Sequence, residues 1–217
     1  MAQLQYASVG PLAAASATNI RTASTFAAAG AQTLNGSTVV GTVAILDVPR
    51  TLLFTFAGAK AGLIITVVGT GGGTPAPWIT ETIAGPAGAG TVPSLLKYKS
   101  VISVTSNQLT AGTVSIGTNT LNYSGWVQFD RYAKGGVAAQ LVVVGTVNYT
   151  LQQTLDDPNS TVNPVAPANV TWVSSSDTNV VGATASFQTN YQFPPAWVRV
   201  LLTSGTGSVS GTFIQGG

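Results

Sequence analysis

The sequence predicts an all-β protein: two β-sandwich domains, Ig-like or jelly-roll-like, in tandem behind an N-terminal extended arm. Three observations predict it. Short segments rich in Val, Ile, Thr and aromatic residues alternate apolar and polar side chains, the period of a half-buried strand. These segments recur at intervals of about ten residues, the rhythm of a sandwich or barrel rather than of strands joined by crossover helices. Gly, Asn and Pro punctuate them, with 25 Gly and 11 Pro in 217 residues, and the Glu/Lys pairing of an exposed helix is missing.

Residues 1–21 are rich in Ala and Ser and broken at Gly10-Pro11. They read as an extended arm that orders on a neighbouring subunit, with a disordered tail as the plainer alternative. They have no basic start or Leu-rich stretch and are not expected to be a signal or transit peptide. The first domain is expected over 22–120. Thr51 to Phe56 (TLLFTF) and Gly62 to Val68 (GLIITVV) read as strands around a turn; Ile79 to Ile83, Lys99 to Thr105 and Gly112 to Gly117 continue the rhythm. GTGGGTPAP at 69–77 and GPAGAG at 85–90 are loops, because Gly permits positive φ and Pro lacks a ladder donor. The second domain is expected over 121–217. Gly125 to Asp130, Gln140 to Leu151 with Gly145 as a bulge or kink, Val170 to Ser174, Ala183 to Thr189, Ala196 to Thr203 and Ser208 to Ile214 read as its strands. One larger closed structure is the alternative architecture.

Composition excludes several functions. Cys and His are absent, so disulfide scaffolds, Cys/His zinc sites, thiol nucleophiles and Ser-His-Asp triads are impossible. Glu81 is the sole glutamate beside five aspartates, which leaves little for acid–base chemistry, and no enzyme is expected. Eight Lys+Arg are scattered along the chain and form no basic stripe, so no nucleic-acid partner is expected. Mean hydropathy is positive, yet Gly and Pro interrupt every apolar stretch short of a membrane span, and no membrane partner is expected.

The Gly69–Gly73 run lacks the Lys-Ser/Thr ending of a phosphate loop and precedes Pro rather than a helix, so a hairpin loop is the reading. Asp156-Asp157-Pro158-Asn159 is the one acidic cluster. It reads as turn chemistry, with a Ca²⁺ ligand role together with Asp177 as the alternative. No cofactor or metal is expected. Trp126, Trp172 and Trp197 fall in expected strands and read as core, although sugar stacking keeps a carbohydrate-binding β-sandwich open as an alternative. Trp78 follows Pro-Ala-Pro at a loop exit and reads as a contact residue, as do Leu4, Tyr6, Leu12 and Ile20 in the arm. Charged residues are 6% of the chain against roughly a quarter in ordinary soluble domains, which fits a subunit that lives inside an assembly. With few Lys to guard sheet edges, a homo-oligomer is expected, a trimer favoured.

Val48-Pro49-Arg50, GLIITVVGT, ITETI, SVISVTS and GTVSIGT resemble a cassette of tailed-bacteriophage virion proteins. GTVNYTLQQTLDDPN, VTWVSS and VRVLLTSGTGSVSGTFIQGG resemble a stretch that accompanies it. The resemblance covers most of residues 45–217; the loop GTGGGTPAPW is longer than its pattern. It implies a non-enzymatic structural component of the virion whose partners are other virion proteins, the major capsid protein or tail proteins. A capsid cement or decoration protein is the leading expectation, and a tail, baseplate or head–tail adaptor subunit the alternative.

Overall fold

The alternation in QYASVGPLA, residues 5–13, is answered at the far end of the chain. The computed structural model describes residues 5–73, 75–119, 122–130, 132–133 and 135–216. In it, β1 (Gln5–Ala13) runs antiparallel to residues 208–215, with Tyr6 opposite Ile214 and Leu12 opposite Val209. Leu12 is fully buried. The expected arm is therefore corrected: residues 5–13 are a sheet strand, and Ile20 and Arg21 are buried elsewhere. Local sequence does not reveal this, because the partner strand lies at the opposite end of the chain.

The chain forms two compact units, Ala15–Thr120 and a discontinuous one made of Met1–Ala14 with Leu121–Gly217. The architecture is all-β. Among the described residues there is no α-helix, only two three-residue 3-10 turns, and the three antiparallel sheets do not close into a barrel.

The Ala15–Thr120 unit holds β2 (Arg21–Ser24), β3 (Gly30–Ala31), β4 (Val39–Val40), β5 (Val43–Phe56), β6 (Ile64–Thr70), β7 (Trp78–Ala84), β8 (Gly90–Ser106) and β9 (Val114–Thr118). They pair in the order β2-β9-β5-β8-β6-β7, with β3 on β8 and β4 on β5. Leu52, Phe54 and Phe56 of β5, Ile65 and Val67 of β6, Tyr98, Val101 and Val104 of β8, and Val114 and Ile116 of β9 form one buried cluster with Ile20 and Phe26. The glycine-rich run is the β6–β7 hairpin loop: Thr70 pairs with Trp78, and the Gly71 amide donates to the Pro77 carbonyl at 2.9 Å.

β5 and β8 extend beyond the expected strands because register shifts interrupt their alternation, and scarce charges sit at those shifts. Between Ile45 and Arg50, the Arg50 guanidinium makes a forked ion pair with Asp47, its Nε donating to Oδ1 at 2.6 Å. Lys99 Nζ donates to the carbonyls of Leu46 and Asp47 at 2.7 and 2.8 Å. Where β8 bulges over residues 94–96, the Glu81 carboxylate accepts the Leu95 and Leu96 amides at 2.7 and 3.1 Å. At the shift between Arg21 and Ser24, the buried Arg21 donates to the carbonyls of Ser24 and Thr25 at 2.9 and 3.1 Å. Charge here satisfies backbone groups that a broken ladder leaves unpaired.

The discontinuous unit holds β1, β10 (Asn122–Tyr123), β11 (Val127–Gln128), β12 (Val137–Val144), β13 (Val147–Thr154), β14 (Val173–Ser174), β15 (Phe187–Tyr191), β16 (Trp197–Gly205) and β17 (Ser208–Gln215). One sheet has the order β1-β17-β12-β15; the other is β10-β16-β13-β14, with β11 also on β16. Residues 140–151, expected as one kinked strand, are two. Gly145, at φ 78°, turns the chain from β12 in the first sheet to β13 in the second. A positive φ is a turn conformation that glycine adopts without steric cost. Leu141, Val209 and Phe213 are buried from the first sheet, and Tyr149, Leu151, Val200 and Leu202 from the second. Phe213 meets Phe129 edge-on at 6.0 Å.

Three buried tyrosines make the fold sensitive to alkali. Burial pushes up the phenol of Tyr98, with the Glu81 charge adding to it; burial and then Asp177 push up Tyr149; burial pushes Tyr191 up to about 12. Below pH 10 folded and unfolded chains both keep these protons, so stability does not depend on them. Above it the unfolded chain releases them while the folded chain does not. Stability is therefore expected to fall as pH rises from about 10 through 12. Denaturation midpoints against pH, with tyrosinate absorbance, check this. Ionisation of all six tyrosines near pH 10 in a folded protein would contradict it.

Candidate interaction surface

The first sheet of the discontinuous unit presents an outer face without charge. β1, β12, β15 and β17 contain no Asp, Glu, Lys or Arg. Register places Tyr6, Ile214, Ala138 and Asn190 side by side across the four strands, and Ser8, Thr212, Gln140 and Gln188 in the next row. Alternation buries the intervening residues, so these point outward. A shallow trough of about 470 Å³ runs over Ala138, Gln140, Gln188, Asn190, Thr212 and Ile214.

The expected contact residues separate. Tyr6 is 65% exposed on this face, and Trp78 is 71% exposed on β7 in the other unit. Leu12 and Ile20 are both fully buried and are corrected to core residues. Leu4 lies outside the described residues. Gln140, Gln188, Asn190 and Thr212 were not singled out by sequence. Their signal was a polar residue at alternate positions of chargeless strands, which becomes a patch only once register aligns it.

The other sheet carries an aromatic stack. Trp126 meets Trp172 at 5.0 Å and Trp197 at 6.0 Å, both edge-on. The Arg199 guanidinium lies 3.9 Å from the Tyr123 ring centre and 4.1 Å from that of Trp172, and its Nε donates to Gln152 Oε1 at 2.8 Å. Burial lowers the Arg199 pKa. The three tryptophans are half-buried against one another rather than in the core expected for them, and Trp126 and Trp172 fall just outside strands. Arg199 supplies a cation that the rings hold by their faces. Trp197 Nε1 donates to Asp157 Oδ1 at 3.2 Å, tying the acidic loop to the stack.

The acidic residues also accept backbone amides. Asp156 Oδ2 accepts the Thr171 amide at 2.7 Å, Asp157 Oδ1 the Asn159 amide at 3.0 Å, and Asp177 Oδ1 the Asn179 amide at 3.0 Å. The Asp157 and Asp177 bonds are turn and cap bonds, while the Asp156 bond ties its loop to residue 171. Among the described residues, no group of three or more carboxylates gathers as a metal centre would require.

No known family profile matches the chain, and no curated protein matches it at a significant level.

Proposed function

We propose that the protein is a non-enzymatic structural subunit of a tailed-phage particle, located in the virion and contacting other virion proteins. Capsid cement or decoration is the leading role, and a tail, baseplate or adaptor position the second. The observation that carries this reading is the placement of the scarce charge: Arg50 is closed in an ion pair with Asp47, and Glu81 and Lys99 bind backbone at register shifts, rather than spreading over the surface. A free protein keeps mixed charge over its surface, while interface cores are depleted of it. Glu81 of β7 and Lys99 of β8 engage broken ladders instead. We infer further that each unit is a β-sandwich, which the alternating burial of its strands supports.

The decisive measurement is the copy number in purified particles. Copies on the order of hundreds fit cement, about six to twelve fit a tail ring, and absence from the particle removes the proposal. The subunit is expected to form a homo-oligomer, a trimer favoured, that raising salt weakens little, because its contacts are apolar and hydrogen-bonded. Sedimentation across a salt series checks this; a monomer at high concentration, or dissociation in moderate salt, would contradict it.

A further inference from the structure

We propose that the outer face of the β1-β17-β12-β15 sheet binds a neutral glycan, with Tyr6 as stacking platform and Gln140, Gln188 and Asn190 as hydrogen-bonding groups. This goes beyond the particle role and does not rest on it.

The amides carry the argument. Gln140 and Gln188 stand directly opposite each other on β12 and β15, and Asn190 lies two residues further along β15. Among the described residues, the side chains of these three and of Thr212 make no hydrogen bond within the protein, so their polar groups face the trough unengaged. Each amide offers both a carbonyl acceptor and an NH₂ donor, and Thr212 adds a hydroxyl that does both. Neighbouring positions across and along the sheet lie about 5–7 Å apart. The result is a grid of mixed donors and acceptors.

Ligand class follows by matching that grid. An ionic ligand needs a countercharge, and the four strands hold none. A hydrocarbon surface would desolvate the amides without replacing their bonds. A polyhydroxylated neutral chain can donate and accept at every hydroxyl, which matches the mixed donors and acceptors of the amides. Its apolar C–H face needs an exposed ring, and Tyr6 stands at the end of the Ile214–Ala138–Asn190 row. The tryptophan stack is a poorer platform, since its rings already engage one another and Arg199.

The test titrates the full chain with cellohexaose, maltohexaose and hexa-N-acetylchitohexaose, and with a sulfated heparin oligosaccharide as the charged comparison. Saturable binding of at least one neutral hexamer is expected, with Kd of about 1 mM or tighter and little salt dependence. Gln188→Ala and Tyr6→Ala, both at exposed positions, should each weaken it about tenfold without shifting the melting temperature. Any of four results overturns the proposal. They are no saturable response to the three neutral hexamers at about 10 mM, preference for the sulfated chain, binding unchanged in both variants, or a response that follows protein rather than sugar concentration. The last would assign the face to a second copy of the chain.

Discussion

Removing residues 1–14 is expected to unfold the discontinuous unit, and Leu12→Ala alone to destabilise it by roughly 2–5 kcal/mol. Leu12 is fully buried, and its strand supplies one whole side of the β17 ladder from Gln5 to Ala13. The Ala14 amide adds a bond to the Gly207 carbonyl at 2.9 Å. Without β1, β17 becomes an open edge and the core beside Val209 and Phe213 loses its cover. For a domain of this size the point variant should lower the melting temperature by roughly 10 °C or more. Hydrogen exchange should show lost protection in β12 and β17. An unchanged melting temperature after the deletion would return residues 1–14 to the status of an arm.

Gly117→Ala is expected to destabilise the Ala15–Thr120 unit by about 4 kcal/mol, in the range reserved for severe steric conflict. A Cβ at Gly117 would lie 1.9 Å from the Ser16 carbonyl oxygen and 2.4 Å from the Ala17 carbonyl carbon. Both are backbone atoms, so the segment must move as a whole. That breaks the Thr118 amide's bond to the Ser16 carbonyl, at 2.8 Å, and the Asn19 Nδ2 bond to Thr118 Oγ1, at 3.2 Å. It also draws Ile20 from the core. Gly88→Ala is the control: nothing stands within 4 Å of its Cβ, and it should cost well under about 1 kcal/mol. Urea denaturation separates the two, and equal midpoints would refute the close approach.

What the sequence made legible was local. The alternation in TLLFTF, GLIITVV and SVSGTFI placed parts of β5, β6 and β17, and the Gly69–Gly73 run marked a hairpin loop. What it hid depended on distant pairing. QYASVGPLA looked unattached because its partner is β17, and QLVVVGTVNYTL looked continuous although Gly145 passes it between sheets. β5 and β8 were read short because bulges at residues 45–50 and 94–96 break the period that reveals a strand. The candidate site was less legible still. Of the expected contact residues, Tyr6 and Trp78 are exposed, but Leu12 and Ile20 are apolar for the ordinary reason that they fill cores. The amides of the trough sit on β12 and β15, whose adjacency no local pattern encodes.

The pairing of β1 with β17 sets a timetable for biosynthesis. At a translation rate of about 5–20 residues per second, β1 emerges roughly 10–40 s before β17 can meet it. During that wait the intervening Ala15–Thr120 unit has all its strands and can close, since every partner of β2 to β9 lies within it. β1 meanwhile hangs from the nascent chain as an unpaired strand bearing Leu12 and Tyr6. On a polysome, neighbouring nascent chains carry the same strand at high local concentration. The low charge of this segment gives it no repulsion to keep such copies apart, so chaperone capture of β1 becomes a condition of good yield.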